Sequence, residues 1–264
     1  MTSTLALTSP RGKAPPGAVP EACRPTPISS GTGRVGQLAL MARRMIDLQL
    51  CTIWRFISPS LRAMEGDVLD VGCGEMPFRY AVPAAVRYTG IDVPEAISFG
   101  MGEHADIVPF DGRCIPFADN SFDHVLCTEV LEHCLDPQAL VDEMLRVLRP
   151  GGEMVATIPF SARVHHAPYD FSRFTHYQLA RMFAGFGEVE IAARGSDLSV
   201  IANKLVVLGW RLARPSWGLV LRLPALVCVG LMAAAFLPVA HLSILLGTGS
   251  KDDPLGYGIR AIKG

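Results

Sequence analysis

The sequence predicts an α/β fold in which a mostly parallel sheet is covered by helices on both faces, and three observations carry it. From Asp67 onward short apolar runs alternate with longer amphipathic ones, the pattern of strands buried on both sides and of the helices that cross between them. The first four apolar runs end in Gly, Asp, Glu or Pro clusters, where open α/β sheets hold ligands. The 264 residues suffice for one such domain with extensions and hardly for two large ones.

Taken in order, Met1 to Gly36 is rich in Pro, Ser, Thr and Gly and has no apolar h-region, so residues 1–34 read as a disordered Pro-rich tail and not as a secretion signal. Val35 to Ile57 carries apolar residues at 38, 41, 45, 48 and 53, a helical period expected to end at Ser58-Pro59. Strands are expected at Val68–Val71, Tyr88–Val93, His124–Thr128, Glu153–Ile158, Val189–Ala193 and Tyr257–Ile262. Between them, Pro137–Leu148 is amphipathic through Leu140, Met144, Leu145 and Leu148, and Arg149-Pro150-Gly151-Gly152 is the turn that follows. Thr175 can cap a helix carrying Leu179, Met182, Phe183 and Phe186, which closes at Gly187.

Charge excludes one class of function. With 24 basic and 25 acidic residues the net charge is −1, without the basic footprint of a dedicated nucleic-acid binder, so no nucleic-acid partner is expected and a small or lipid-like one is. The seven cysteines, at 23, 51, 73, 114, 127, 134 and 228, show no CxxC spacing and are odd in number. They read as reduced, buried thiols of a cytoplasmic protein, with no disulfide framework and no zinc site.

The chemistry is concentrated between Asp70 and His133. In Val68-Leu69-Asp70-Val71-Gly72-Cys73-Gly74-Glu75 an apolar strand runs into a glycine pair, which lets the backbone turn sharply and approach a ligand closely. Nicotinamide-binding sheets also use a bare GxG, so this turn alone decides little. Asp92 ends the second strand, where a carboxylate can accept both hydroxyls of a ribose. Asp111 opens Asp111-Gly112-Arg113-Cys114-Ile115-Pro116-Phe117, ahead of Asn120-Ser121-Phe122-Asp123. Singly, Asp70, Asp92 and Asp111 read as strand-end caps and turn acids; the ordered set reverses that.

With these motifs, Glu129-Val130-Leu131-Glu132-His133 and Arg146-Val147-Leu148-Arg149-Pro150-Gly151-Gly152, residues 68 to 158 resemble the bacterial class I S-adenosylmethionine-dependent methyltransferases of the small-molecule, type 11-like kind. The resemblance implies a Rossmann-like, seven-stranded, mostly parallel sheet and S-adenosyl-L-methionine as cofactor. By position it implies that Asp70, Gly72, Cys73 and Gly74 line the methionine and sulfonium side and that Asp92, with Val93 beside it, holds the ribose. Asp111 and the Gly112 backbone would meet the adenine, and Thr128 and Glu129 would close the pocket. One departure stands out: the family often has a third glycine where this chain has Met76, followed by Pro77, which implies a stiffer loop.

Were residues 129–133 helical, Glu129, Glu132 and His133 would share one face at i, i+3 and i+4, a spacing that could meet a divalent ion. Spacing alone does not make a ligand set, and no metal is expected. After the fourth expected strand, Pro159 to Thr175 would overhang the transferable methyl. Methyl transfer needs proximity and, for hydroxyl or amine acceptors, a general base, for which His165, His166, Tyr169 and Asp170 are the candidates. The blander reading makes Asp170 and Arg173 a structural pair.

Half of the chain is apolar, and the excess sits near the C-terminus. Leu223 to Gly247 contains no Asp, Glu, Lys or Arg, a run of membrane-spanning length, and Arg211, Arg214 and Arg222 separate it from apolar Leu198–Trp210. Pro224 and Pro238 argue for a broken helix. Since Tyr257–Ile262 should complete the sheet, residues 35–197 and 251–264 form one domain and 198–250 an apolar insertion on the inner, cytoplasmic face of the membrane. A helical subdomain packed over the active site, or on a second subunit, is the alternative. The expected activity is methyl transfer to a small or lipid-linked acceptor. The alternatives are a catalytically inactive membrane scaffold of the same fold and an NAD-dependent oxidoreductase, the latter disfavoured because GxGxxG is absent.

Overall fold

The computed structural model describes residues 34–99, 106–215 and 218–264. Seven strands form one sheet: β1 (Asp67–Val71), β2 (Arg87–Asp92), β3 (Ile107–Pro109), β4 (Phe122–Thr128), β5 (Leu148–Pro159), β6 (Glu188–Arg194) and β7 (Gly256–Ile262). Their order is β3-β2-β1-β4-β5-β7-β6; β7 runs antiparallel to both neighbours and every other pairing is parallel. The predicted fold class is therefore observed. The six expected strands are all present, and β3 is the one the sequence pattern does not reveal: three residues are too few to show a period.

Among the described residues, six α-helices complete the fold: α1 (Arg34–Ile46), α2 (Leu48–Ala63), α3 (Pro137–Val147), α4 (His176–Met182), α5 (Asp197–Leu212) and α6 (Leu219–Leu246). Alternation along the strands feeds two cores. Leu69, Val71, Val125, Cys127, Met154, Ala156, Ile259 and Ala261 face Leu140 and Met144 of α3 and Leu179 of α4. Val68, Leu126 and Val155 face Leu50, Ile53, Ile57 and Leu61 of α2. Each such fully buried aliphatic side chain contributes roughly 1.5–3 kcal/mol.

Several expectations are corrected. The helix read over Val35–Ile57 is two, because Asp47 leaves the helical region and its carboxylate accepts from the Leu50 N–H as an N-cap at 3.1 Å. Its first turn takes in Arg34 to Gly36, while residues 1–33 of the expected tail lie outside the described ones. Nor does Ser58-Pro59 end it: α2 runs through Pro59 to Ala63, since packing of Ile57 and Leu61 outweighs one missing N–H.

Arg149-Pro150-Gly151-Gly152 lies within β5 and not between elements; Gly151 takes φ +77°, and Gly151 and Gly152 exchange backbone hydrogen bonds with Lys263. Finally, α6 is a single helix of 28 residues with Pro224 and Pro238 inside it, and α5 packs against it. The described cysteines are free, but not all are buried as expected: Cys114 and Cys228 are exposed.

Candidate active site

The carboxyl ends of β1 and β2 meet through the glycine turn. The Gly72 and Cys73 N–H groups donate to the Ile91 carbonyl at 2.9 and 3.1 Å, and the Gly74 N–H donates to Asp92 Oδ2 at 2.7 Å. Asp92 Oδ1 accepts from the Val93 N–H at 2.7 Å. Burial pushes the Asp92 carboxyl up, against the pull of those two N–H groups. Gly72 is required twice over: its φ is +67°, and a Cβ there would stand 2.5 Å from Val130 Cγ2. Met76, at φ +48°, occupies the left-handed region that glycine occupies without strain, a physical reason for the family's usual glycine at this point.

Asp70 is buried in this cradle. Tyr88 OH donates to its Oδ2, while Oδ1 has no hydrogen-bond partner. Burial, opposed by the Tyr88 hydrogen bond and reinforced by Asp92, raises its pKa to about 7. A buried carboxylate with an unpartnered oxygen fits a cationic group. On the far side of the turn Val93 and Gly112 are neighbours, since a Cβ on Gly112 (φ +74°) would come 3.2 Å from Val93 Cγ1. Asp111 Oδ1 accepts from the Arg113 and Cys114 N–H groups at 2.8 and 2.7 Å, a turn-closing role that holds its carboxyl below the usual range.

At the end of β4 the five-residue motif does not form the helical face that its spacing suggested. Glu129 has φ +55°, and only Leu131–His133 make a short 3-10 turn. Glu129 Oε1 accepts from Arg194 at 2.7 Å. Arg194 is buried and also donates to the Tyr257 and Ile158 carbonyls and to Thr52 Oγ1. Burial raises the Glu129 pKa and lowers that of Arg194, and at 2.7 Å each favours the other's charged form.

The structure instead groups Glu132 and His133 with His165 and His166 of the loop after β5. His165 Nδ1 lies 3.3 Å from Asp170 Oδ2, and His165 Nε2 lies 3.7 Å from Glu132 Oε1. Burial opposes protonation of His165, but the two carboxylates outweigh it and raise its pKa to about 9. Arg173 grips both oxygens of Asp170 at 2.6 and 2.8 Å, and the His165 N–H adds a third bond. Together these hold the Asp170 carboxyl well below the usual range despite its burial. The expected structural pair of Asp170 and Arg173 is present, and Tyr169 turns its carbonyl to His133 Nδ1. Arg194 and Tyr88 carry no mark in the sequence: Tyr88 meets Asp70 through the pairing of β1 with β2, Arg194 reaches Glu129 across two intervening strands, and a lone Arg at a strand end or Tyr in a strand is no local signal.

Residues 69–156 match the family described as "Methyltransferase domain". Over this segment the chain is similar to that family. Among the curated proteins similar to this chain are two that are each named "uncharacterized methyltransferase". That of Mycolicibacterium vanbaalenii is 41% identical over 91 residues, which cover 32% of this chain and 36% of that protein. That of Mycobacterium avium is 39% identical over 123 residues, 44% of this chain and 47% of that one. The matches thus span less than half the length of these relatives.

Among solved structures, the [4+2]-cyclase SpnF shares 21% identity at a TM-score of 0.52, covering 91% of this chain and 98% of its own. A SAM-dependent methyltransferase from Archaeoglobus fulgidus shares 15% at 0.50, covering 85% and 99%. These likenesses show the fold alone, a seven-stranded sheet with Rossmann-like topology, whereas the likeness to the methyltransferase family rests on the sequence match of residues 69–156.

Proposed function

We propose that the chain is an S-adenosylmethionine-dependent methyltransferase acting on a small or lipid-linked acceptor at a membrane surface. The observation that carries the cofactor assignment is the buried Asp70 carboxylate, with an unpartnered oxygen, set beside a glycine turn that no Cβ could enter. When bound, S-adenosylmethionine supplies a methyl group on a cationic sulfur that an acceptor atom can displace. Asp70 would answer its positive end, Asp92 its ribose, and the Val93–Gly112 contact its adenine. Gly72 and Gly74 admit it, and Thr128 and Glu129 lie at the end of β4 that closes this side.

On the acceptor side His166 and Tyr169 are the groups proposed to meet the substrate, with His166 taking the proton of a hydroxyl or amine. His165 and Asp170 position the loop: the one is paired to carboxylates and the other is held by Arg173.

Membrane contact is supported by α6, which has no Asp, Glu, Lys or Arg from Leu223 on and is only 11% buried over its most apolar stretch. Leu221, Leu231, Leu242 and Leu245 are exposed on α6, and Leu38, Met41 and Met45 on α1. The two helices meet where His241 Nε2 contacts the Met45 carbonyl at 2.8 Å. Because β7 pairs within the sheet after α6, the helix lies along the surface of the bilayer in this reading, with Arg211, Arg214 and Arg222 at the headgroups.

Calorimetry with S-adenosylmethionine, S-adenosylhomocysteine and NAD tests the cofactor half: both sulfur ligands should bind and NAD should not, and failure of both sinks the reading. Methyl-transfer assays on lipid and small-molecule extract fractions test the acceptor half. A chain that binds cofactor and methylates nothing would be the inactive scaffold.

A further inference from the structure

We propose that Glu132, His133 and His165 form a binding site for one divalent first-row transition-metal ion of the zinc type. Glu132 is fully buried, and neither of its carboxylate oxygens has a hydrogen-bond partner. A buried carboxylate left so is expensive unless something positive completes it. Two imidazoles face it: His133 Nε2 lies 3.6 Å and His165 Nε2 3.7 Å from Glu132 Oε1. These separations are too long for hydrogen bonds and near the roughly 3.3 Å between ligands about 2.0–2.1 Å from a tetrahedral zinc ion. One donor atom from each of the three residues lies within 4.8 Å of the other two.

The surroundings prepare both rings as ligands. His133 Nδ1 is 2.6 Å from the Tyr169 carbonyl. A carbonyl only accepts, so Nδ1 carries the hydrogen and Nε2 is the nitrogen left to ligate. His165 also turns Nδ1 to acceptors, 3.2 Å from the Arg163 carbonyl and 3.3 Å from Asp170 Oδ2, so Nε2 is its ligand nitrogen and the ion takes the place of the proton there. Metal-ligating histidines almost always carry such a partner on the second nitrogen. The backbone is tied as well: the Phe171 and Ser172 N–H groups donate to the Glu132 carbonyl at 2.9 and 3.2 Å, docking the loop on the 3-10 turn.

Two imidazoles and one carboxylate suit Zn²⁺, Co²⁺ or Fe²⁺ and disfavour Ca²⁺ and Mg²⁺. Three protein ligands leave coordination positions for water or an incoming oxygen. Glu129, the third member of the sequence spacing, stands outside the site because Arg194 holds it. The ion site stands whether or not the glycine turn binds S-adenosylmethionine, and its test uses no cofactor.

Co²⁺ titrated into the chelator-treated, tag-free chain should bind one to one, with the visible bands of a nitrogen and oxygen site, and Zn²⁺ should displace it. His133→Ala and His165→Ala should each weaken uptake by more than about 100-fold, beyond the usual loss from an outer-shell partner. Glu129→Gln should leave it intact. Should a variant fail to fold, ring-nitrogen NMR of the unmutated chain reads the same site: Zn²⁺ should shift Nε2 of His133 and His165. No uptake, thiolate-to-cobalt charge transfer from a cysteine, binding that survives both histidine variants, loss in a folded Glu129→Gln, or unmoved Nε2 signals would each overturn the proposal.

Discussion

Arg194 at the end of β6 and Glu129 at the end of β4 are joined by a 2.7 Å ion pair in which the arginine side chain is 1% exposed and the glutamate 23%. The two strands are not neighbours in the sheet, since β5 and β7 lie between them. Arg194 reaches its partner by crossing above β7 where Gly256 leaves room: a Cβ there would stand 2.4 Å from the guanidinium. Removing the arginine leaves Glu129 uncompensated, so Arg194→Ala should cost about 3 kcal/mol in chemical denaturation, the lower end for a broken buried pair because Glu129 keeps some access to water. Glu129→Gln should cost less than half as much, since three other acceptors remain for Arg194.

Asp70 makes ligand-free stability depend on pH. Its folded pKa, about 7, lies above its ordinary value, so folding binds a proton between those limits. Its contribution is fully present below about pH 4 and is lost as pH rises through about 7. Asp70→Asn should therefore make the ligand-free chain more stable at pH 8, by on the order of 2–4 kcal/mol, and flatten the thermal midpoint between about pH 6 and pH 8. An unchanged pH profile would contradict the assignment.

The same residue should control cofactor affinity. A positively charged ligand selects the ionised carboxylate, so S-adenosylmethionine affinity measured by calorimetry should fall up to about tenfold per pH unit below about 7. In Asp70→Asn that slope should vanish and affinity should be low throughout.

Gly72→Ala tests the turn by shape. A methyl group placed 2.5 Å from Val130 Cγ2, on a backbone at φ +67°, should weaken S-adenosylmethionine binding at least tenfold and destabilise the chain by about 1–3 kcal/mol. Gly151→Ala shares the left-handed φ but meets nothing within 4 Å, so it should cost about 1 kcal/mol and leave binding alone.

Charge on α6 tests membrane contact. Leu231 and Leu242 are 68% and 54% exposed, so replacing both with Glu should barely alter thermal stability yet abolish flotation with anionic vesicles. Equal flotation of the variant would count against α6 as the contact.

Much of the fold is legible in the sequence because it is written in local patterns. Strand alternation, the cap at Thr175 and the Gly72–Gly74 turn depend on residues adjacent in the chain. Even there a local rule gives way where it meets a tertiary force: packing carries α2 through Pro59. The candidate site divides the same way. Asp70, Gly72, Gly74 and Asp92 sit at the ends of strands that the pattern locates, and the structure brings them together.

The acceptor half is different in kind. By itself the sequence determined a doubly covered parallel sheet, the place of its glycine turn, and an uncharged stretch ahead of the last strand. Only the tertiary structure decided that Glu129 pairs with Arg194, 65 residues away, and that Glu132 and His133 are joined by His165 instead. Spacing along a chain predicts neighbours only while the backbone keeps one period. At Glu129, where φ turns positive, that period ends, and which side chains then meet is set by how strands and loops pack.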